Sequence, residues 1–138
     1  MTQRTLTIIK PDSVAARNVG AILAHLERSG FAIVAGRMTR LSRAQAGAFY
    51  AVHRERPFYD DLVAYMTSGP VWVACLERDD AVAELRRVMG ATDPAKADDG
   101  TIRKMYGTSI ERNAIHGSDS PENAAIEIAF FFPGSDLL

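Results

Sequence analysis

The chain of 138 residues has one cysteine, one tryptophan, and no apolar run approaching the roughly 18 residues that a membrane helix needs. A lone Cys75 makes no internal disulfide, which excludes a stapled secreted scaffold and suits a reducing compartment. The first ten residues carry Arg4 and Lys10 without the apolar centre of a secretory leader, so the sequence predicts a cytoplasmic protein. Charge of one sign is missing as well. Lysine plus arginine number 16 against 17 acids, a formal net charge of -1, which removes generic attraction to nucleic acid or membrane surfaces.

Familiar motifs are absent too. No G-x-x-x-x-G-K-[ST] or G-x-G-x-x-G follows a strand, and H-E-x-x-H, C-x-x-C and G-x-S-x-G do not occur. These absences exclude the common phosphate loops, zinc sites and the hydrolase elbow, and make a resident protein-bound metal an unsupported reading. What remains is an ordinary globular composition, 47% hydrophobic and 24% charged, predicting a single domain over residues 1–138.

Strand and helix signals alternate. Thr5 to Ile9 reads as a buried strand ended by Pro11, and Val19, Ile22, Leu23 and Leu26 recur at helical spacing before Gly30. Phe31 to Leu41 reads as a second strand. Ser42 caps a helix through Phe49 and Tyr50, and another helical piece near Asp60 to Met66 ends at Ser68-Gly69-Pro70. Val71 to Glu77 is the third strand, and Asp79-Asp80 open a helix that stops at Gly90. Periodicity is lost from Ala91 to Ile115, a length usual only for a working loop. Ser120-Pro121 starts a short helix, and Glu127 to Phe132 is expected to close the chain as an aromatic strand. The order suits an α+β fold, a ferredoxin-like antiparallel four-stranded sheet with helices packed on it.

Chemistry concentrates in Asn113-Ala114-Ile115-His116-Gly117-Ser118-Asp119-Ser120. A glycine after His116 leaves its imidazole uncrowded, and Ser118 stands nearby. Glu127, eleven residues on, supplies a carboxylate that would fix one ring nitrogen and leave the other to attack. Lys10-Pro11-Asp12 holds an ammonium at a strand end. Arg86 precedes Gly90 and Thr92 with helical then loop spacing, and Arg103 lies in the long irregular segment. His25 and His53 have no partner motif and read as exposed helix histidines, while the acid pairs at Asp60, Asp79 and Asp98 read as helix starts and a turn.

These pieces, with Phe49-Tyr50, Arg56-Pro57-Phe58-Tyr59, Gly90-Ala91-Thr92-Asp93-Pro94 and Gly100-Thr101-Ile102-Arg103, stand in one order from residue 4 to about 132. The sequence resembles the nucleoside diphosphate kinases over almost its whole length. The resemblance implies ping-pong transfer of a γ-phosphoryl group from a nucleoside triphosphate to Nδ1 of His116 and on to a nucleoside diphosphate, with Mg²⁺ carried on the nucleotide phosphates. By the same resemblance, Arg86 and Thr92 hold the inner phosphates and Arg103 the terminal one. Lys10 reaches the ribose and the moving phosphate, and Asn113 the sugar's 3′ side. Tyr50 donates near His116, and Glu127 orients it. Phe58 stacks on the base, with Ile110 opposite and Leu62 nearby.

The family also implies a homo-oligomer, a tetramer or hexamer, with no membrane and no obligatory nucleic-acid partner. Ser13 and Lys104-Met105 depart from the usual pattern, at positions away from the presumed chemistry. Two other classes stay open on the residues alone: a ferredoxin-like nucleic-acid-binding module, for which the third strand offers Trp72 but no RNA-binding motif, and a regulatory module without catalysis.

Overall fold

Side chains on successive strand positions point to opposite faces, and in this chain both faces are apolar. The computed structural model describes residues 2–138. Strand β1, Thr2–Ile9, runs antiparallel to β3, Val71–Asp79, with Leu6 opposite Cys75 and Ile8 opposite Val73. Strand β2, Ala32–Thr39, flanks β3 with a register shift between Ile33 and Ala35. Strand β4 is only Ile115–Gly117 and pairs antiparallel with the end of β1, His116 opposite Ile8. The order is β2-β3-β1-β4, the ferredoxin-like arrangement.

The two faces carry separate cores. Leu6, Ile8, Val71, Val73 and Cys75 pack with Ala46 of α3 (Arg43–Phe49), with Val63 and Met66 of α4 (Tyr59–Met66), and with Ile128 and Phe131 of α7 (Pro121–Phe131). Ile9, Ala74 and Leu76 pack on the other face with Ile22 and Leu26 of α2 (Val19–Arg28) and Leu85 of α5 (Ala81–Met89), joined by Ile102 of α6 (Ile102–Tyr106). Helices therefore cover the sheet on both sides, and each buried aliphatic side chain contributes about 1.5 to 3 kcal/mol.

Local signals account for most boundaries. Ser42 and Gln45 form a reciprocal capping box at α3. Ser120 accepts the Asn123 N–H, with Pro121 as the first residue of α7. Gly90 ends α5 at φ 89°, a conformation that side chains resist. A short helix α1, Pro11–Ala15, directly follows β1 and was not foreseen.

The end of the chain corrects the sequence reading. Glu127 to Phe132 is not the fourth strand: α7 continues through Phe131, and the fourth strand is the His116 segment. Helix α7 buries Ala124, Ile128 and Phe131 at helical spacing but also shows Ile126 and Phe130 to solvent. Apolar residues on several faces erase the helical period and imitate a strand. The segment from Ala91 to Ile115, read as a loop without periodicity, contains α6 and a turn of 3₁₀ helix at Pro94–Lys96. Asp80 does precede α5, but at φ 55° and without capping it; Gln3 Oε1 instead accepts the Val82 N–H.

Candidate active site

β4 borders a cleft through His116 and Gly117. It places His116 at the sheet edge, where the side chain remains 20% exposed. On α7, Glu127 lies three residues after Ala124 and one before Ile128, beside the buried stripe, and so points back at the sheet rather than into solvent. Its Oε1 is 2.8 Å from His116 Nε2 and accepts the Ser118 hydroxyl at 2.8 Å. The expected pairing of His116 with Glu127 is thus present, made by a helix instead of a strand. Ser118 is fully buried, and its Oγ also accepts the Leu6 N–H at 3.4 Å.

Aromatic rings fix the imidazole from the side. Phe49 meets it edge-on with centroids 5.6 Å apart, and Tyr50 does so at 6.5 Å. Phe49 was not singled out from sequence; its position next to Tyr50 at the end of α3 was the available signal. Burial, with the Glu127 charge adding to it, pushes the Tyr50 phenol far above its ordinary range. Its hydroxyl is buried with no hydrogen-bond partner among the described residues, and the residue lines the cleft, which leaves an unused donor at the cleft wall.

The cleft encloses about 590 Å³ and is lined by His116, Glu127, Tyr50, Arg86, Thr92 and Arg103, with Phe49 and His53 at its wall. Arg86 and Thr92 come from the end of α5 and the turn after it, and are exposed. Arg103, in α6, is buried, donating to the Gly90 carbonyl at 3.2 Å and the Ile115 carbonyl at 2.8 Å. Burial, then repulsion from Arg86, lowers its pKa to about 10. Two guanidinium groups that border one cleft and repel each other offer a positive wall suited to phosphate oxygens.

Lys10 lies behind this wall, 9% exposed, its Nζ donating to Asn113 Oδ1 at 2.8 Å. Asn113 Nδ2 donates to the Thr92 carbonyl at 3.0 Å, which ties the lysine to the phosphate-side turn. Burial lowers the Lys10 pKa to about 8, with Arg103 adding repulsion and the Asp12 carboxylate opposing it. Ala114, next to Asn113, is held at φ 75°, which costs a residue with a side chain about 1 to 3 kcal/mol. Two hydrogen bonds hold that peptide: its carbonyl accepts the Lys10 N–H at 2.8 Å and its N–H donates to Asp12 Oδ2 at 3.2 Å. Asp12 also accepts the Tyr65 hydroxyl. Neither Asp12 nor Tyr65 was expected at the site, although Asp12 stands in the Lys10-Pro11-Asp12 motif.

The expected base contacts are less tightly gathered. Phe58 and Ile110 are 49% and 55% exposed and do not belong to the cleft lining, while Leu62 is half-buried against the α3–α4 core. Phe58 packs on His53 with ring centroids 5.4 Å apart, so His53 is a partnered cleft residue and not a bystander. Among the described residues no cluster of three or more metal-ligating side chains occurs, and no helix is long and apolar enough to cross a membrane.

Comparison with known proteins agrees with this geometry. The nucleoside diphosphate kinase family model matches residues 3–137. The chain is 58% identical to the nucleoside diphosphate kinase of Dechloromonas aromatica over 132 residues, covering 96% of this chain and 93% of that protein. It is 60% identical to that of Nitrosospira multiformis over 131 residues, covering 95% and 93%. The Aquifex aeolicus nucleoside diphosphate kinase structure superimposes with a TM-score of 0.98 at 45% identity, covering both chains completely. The Halobacterium salinarum nucleoside diphosphate kinase in complex with CDP superimposes with a TM-score of 0.95 at 40% identity, covering 100% of this chain and 92% of that one. With a matching fold, matching motifs and near-complete coverage, the chain belongs to the nucleoside diphosphate kinase family of phosphotransferases.

Proposed function

We propose that the chain moves the γ-phosphoryl group of a nucleoside triphosphate to a nucleoside diphosphate through a phosphohistidine on His116. The observation that carries this reading is the 2.8 Å contact between His116 Nε2 and Glu127 Oε1. With the Nε2 proton donated to Glu127, Nδ1 holds the free lone pair, and Arg86 and Arg103 border the same cleft.

In the first half-reaction the Nδ1 lone pair forms a bond to the γ-phosphorus while the bond to the β–γ bridging oxygen breaks, its electron pair leaving with the diphosphate. In the second, a terminal oxygen of the incoming diphosphate attacks the phosphorus and the P–N bond electrons return to Nδ1. Glu127 balances charge on the ring in both directions, and Ser118 holds Glu127. Arg86 and Thr92 bind the inner phosphates, and Arg103 binds the terminal one. Lys10 and Tyr50 donate to the moving group, and Asn113 keeps Lys10 directed at the sugar side. Such an arrangement stabilises a loose, charge-spread transition state by alignment and cationic contact.

Mg²⁺ would come as part of the nucleotide substrate and neutralise phosphate charge there; Arg86 and Arg103 at the cleft, with Lys10 behind them, suit a substrate-borne ion better than a protein-held one. Phe58 and Ile110 offer apolar faces to the base, with Leu62 behind them, so purines and pyrimidines are both accepted. The CDP held by the Halobacterium salinarum relative supports a diphosphate acceptor. Assembly as a homo-oligomer, a tetramer or hexamer, and a reducing cytoplasm, which suits the free buried Cys75, complete the reading. A nucleic-acid-binding role is not favoured, because Trp72 is partly buried against the second core.

Incubation of the protein with γ-labelled triphosphate tests the assignment. The expected result is label that survives base, is lost in acid, chases onto added diphosphate, and is absent from His116→Ala. Undiminished exchange by that variant would refute it.

A further inference from the structure

Asp12, the second residue of α1, has no part in the mechanism above, yet both of its carboxylate oxygens are engaged. Oδ1 accepts the Tyr65 hydroxyl, and Oδ2 accepts the Ala114 N–H at 3.2 Å. The backbone N–H of Asp12 donates back to Tyr65 Oη at 3.1 Å. The Tyr65 ring in turn packs under the Arg112 guanidinium, 5.7 Å from its centroid.

The two ends of this strap lie in different parts of the site. Ala114 sits at φ 75° between Asn113, whose side chain holds the Lys10 ammonium, and Ile115, whose carbonyl holds Arg103. A turn in that conformation persists because its neighbours dictate it, and Asp12 supplies the acceptor for its N–H. Tyr65 lies on α4 three residues after Leu62, on the helix that Phe58 precedes. One carboxylate thus joins the helix of the base side to the turn that aims the lysine and arginine of the phosphate side.

We propose that Asp12 is a positioning residue for phosphoryl transfer, holding α4 and the Ala114 turn in the one relative placement at which base and phosphates are engaged together. The inference rests on the kinase reading of His116. It differs from a purely structural role because the Ala114 turn that the carboxylate holds carries the Asn113 contact to Lys10, whose charge Asp12 also supports against burial and Arg103.

The test compares Asp12→Asn, Tyr65→Phe and the double variant in steady-state exchange, with wild-type phosphohistidine labelling run alongside. Asp12→Asn is expected to lower kcat about tenfold, the rate equivalent of one charge-assisted hydrogen bond, and to raise KM for the diphosphate. Tyr65→Phe removes one oxygen, keeps the fold, and is expected to change both constants in the same direction by less. The double variant should fall within about twofold of Asp12→Asn alone, because both substitutions cut one strap. The alkaline limb of kcat/KM should move to lower pH in Asp12→Asn and stay in place in Tyr65→Phe, which retains the carboxylate. Wild-type constants and an unmoved limb in both single variants, with only thermal stability reduced, would overturn the proposal, as would multiplicative losses in the double. Failure of the wild type to label would overturn the kinase reading itself, whereas a labelled wild type with unaffected variants overturns the strap alone.

Discussion

Replacing Lys10 by methionine should make the protein more stable and nearly inactive. The Lys10 ammonium is 9% exposed, and its pKa falls from 10.5 to about 8, burial being the main cause and Arg103 the second. That difference is equivalent to about 3 kcal/mol of destabilisation carried by the charged form. Methionine removes the charge and keeps most of the apolar stem, but gives up the 2.8 Å hydrogen bond to Asn113, a loss of about 1 kcal/mol. The net expectation near neutral pH is a gain of about 2 kcal/mol.

The pH dependence has a definite sign. The folded-state pKa lies below the unfolded one, so the unfolded chain binds more protons between about 8 and 10.5, and the wild type gains stability as pH rises through that window. Below about 8 the full cost is present. Urea denaturation at fixed protein concentration, at about pH 7 and about pH 10, should therefore show Lys10→Met ahead of wild type at the lower pH and the gap closing at the higher. Exchange activity should drop by about two orders of magnitude, as expected for loss of a cationic contact to the moving phosphate. A variant less stable than wild type near neutrality, by an amount independent of pH, would show that the buried ammonium carries no such cost.

Two further substitutions probe the cleft. Glu127→Gln keeps the shape of the His116 partner but removes its charge, and should lower kcat about tenfold to a hundredfold with a smaller change in KM; an unchanged kcat in rapid-quench assays would remove the carboxylate from the mechanism. Gly90→Ala places a Cβ at φ 89° and 2.5 Å from Thr101 Oγ1, while disturbing the carbonyl that receives Arg103. It should cost about 1 to 3 kcal/mol in denaturation and weaken triphosphate binding by calorimetry, and wild-type values for both would contradict the packing described.

The main strands were legible because Val71 to Glu77 is a nearly continuous apolar run after Ser68-Gly69-Pro70 and Thr5 to Ile9 is a mostly β-branched run that ends at Pro11, and Ser42, Ser120 and Gly90 mark helix ends by local chemistry alone. That His116, Glu127, Tyr50, Arg86, Thr92 and Arg103 come together at one cleft was legible from the motifs they stand in, while Phe58 and Ile110 lie outside its lining. The element carrying Glu127 was not legible. A three-residue strand such as Ile115–Gly117 has too little length to show a period of two, and its partnership with β1 is decided by contacts more than a hundred residues apart. Helix α7 hides its period behind Ile126 and Phe130, which stay exposed while Ile128 and Phe131 are buried. The Tyr65–Asp12–Ala114 strap was equally invisible, since it joins three separate segments and the φ of Ala114 is imposed from outside its own sequence.

The central claim concerns which ring nitrogen of His116 carries the phosphoryl group. NMR of the protein with isotope-labelled histidine nitrogens, recorded after phosphorylation by triphosphate, reads that atom through phosphorus–nitrogen coupling. The account predicts coupling to Nδ1, with Nε2 still protonated and shifted by its bond to Glu127. Coupling to Nε2, or exchange proceeding with no phosphorus on His116, would contradict it.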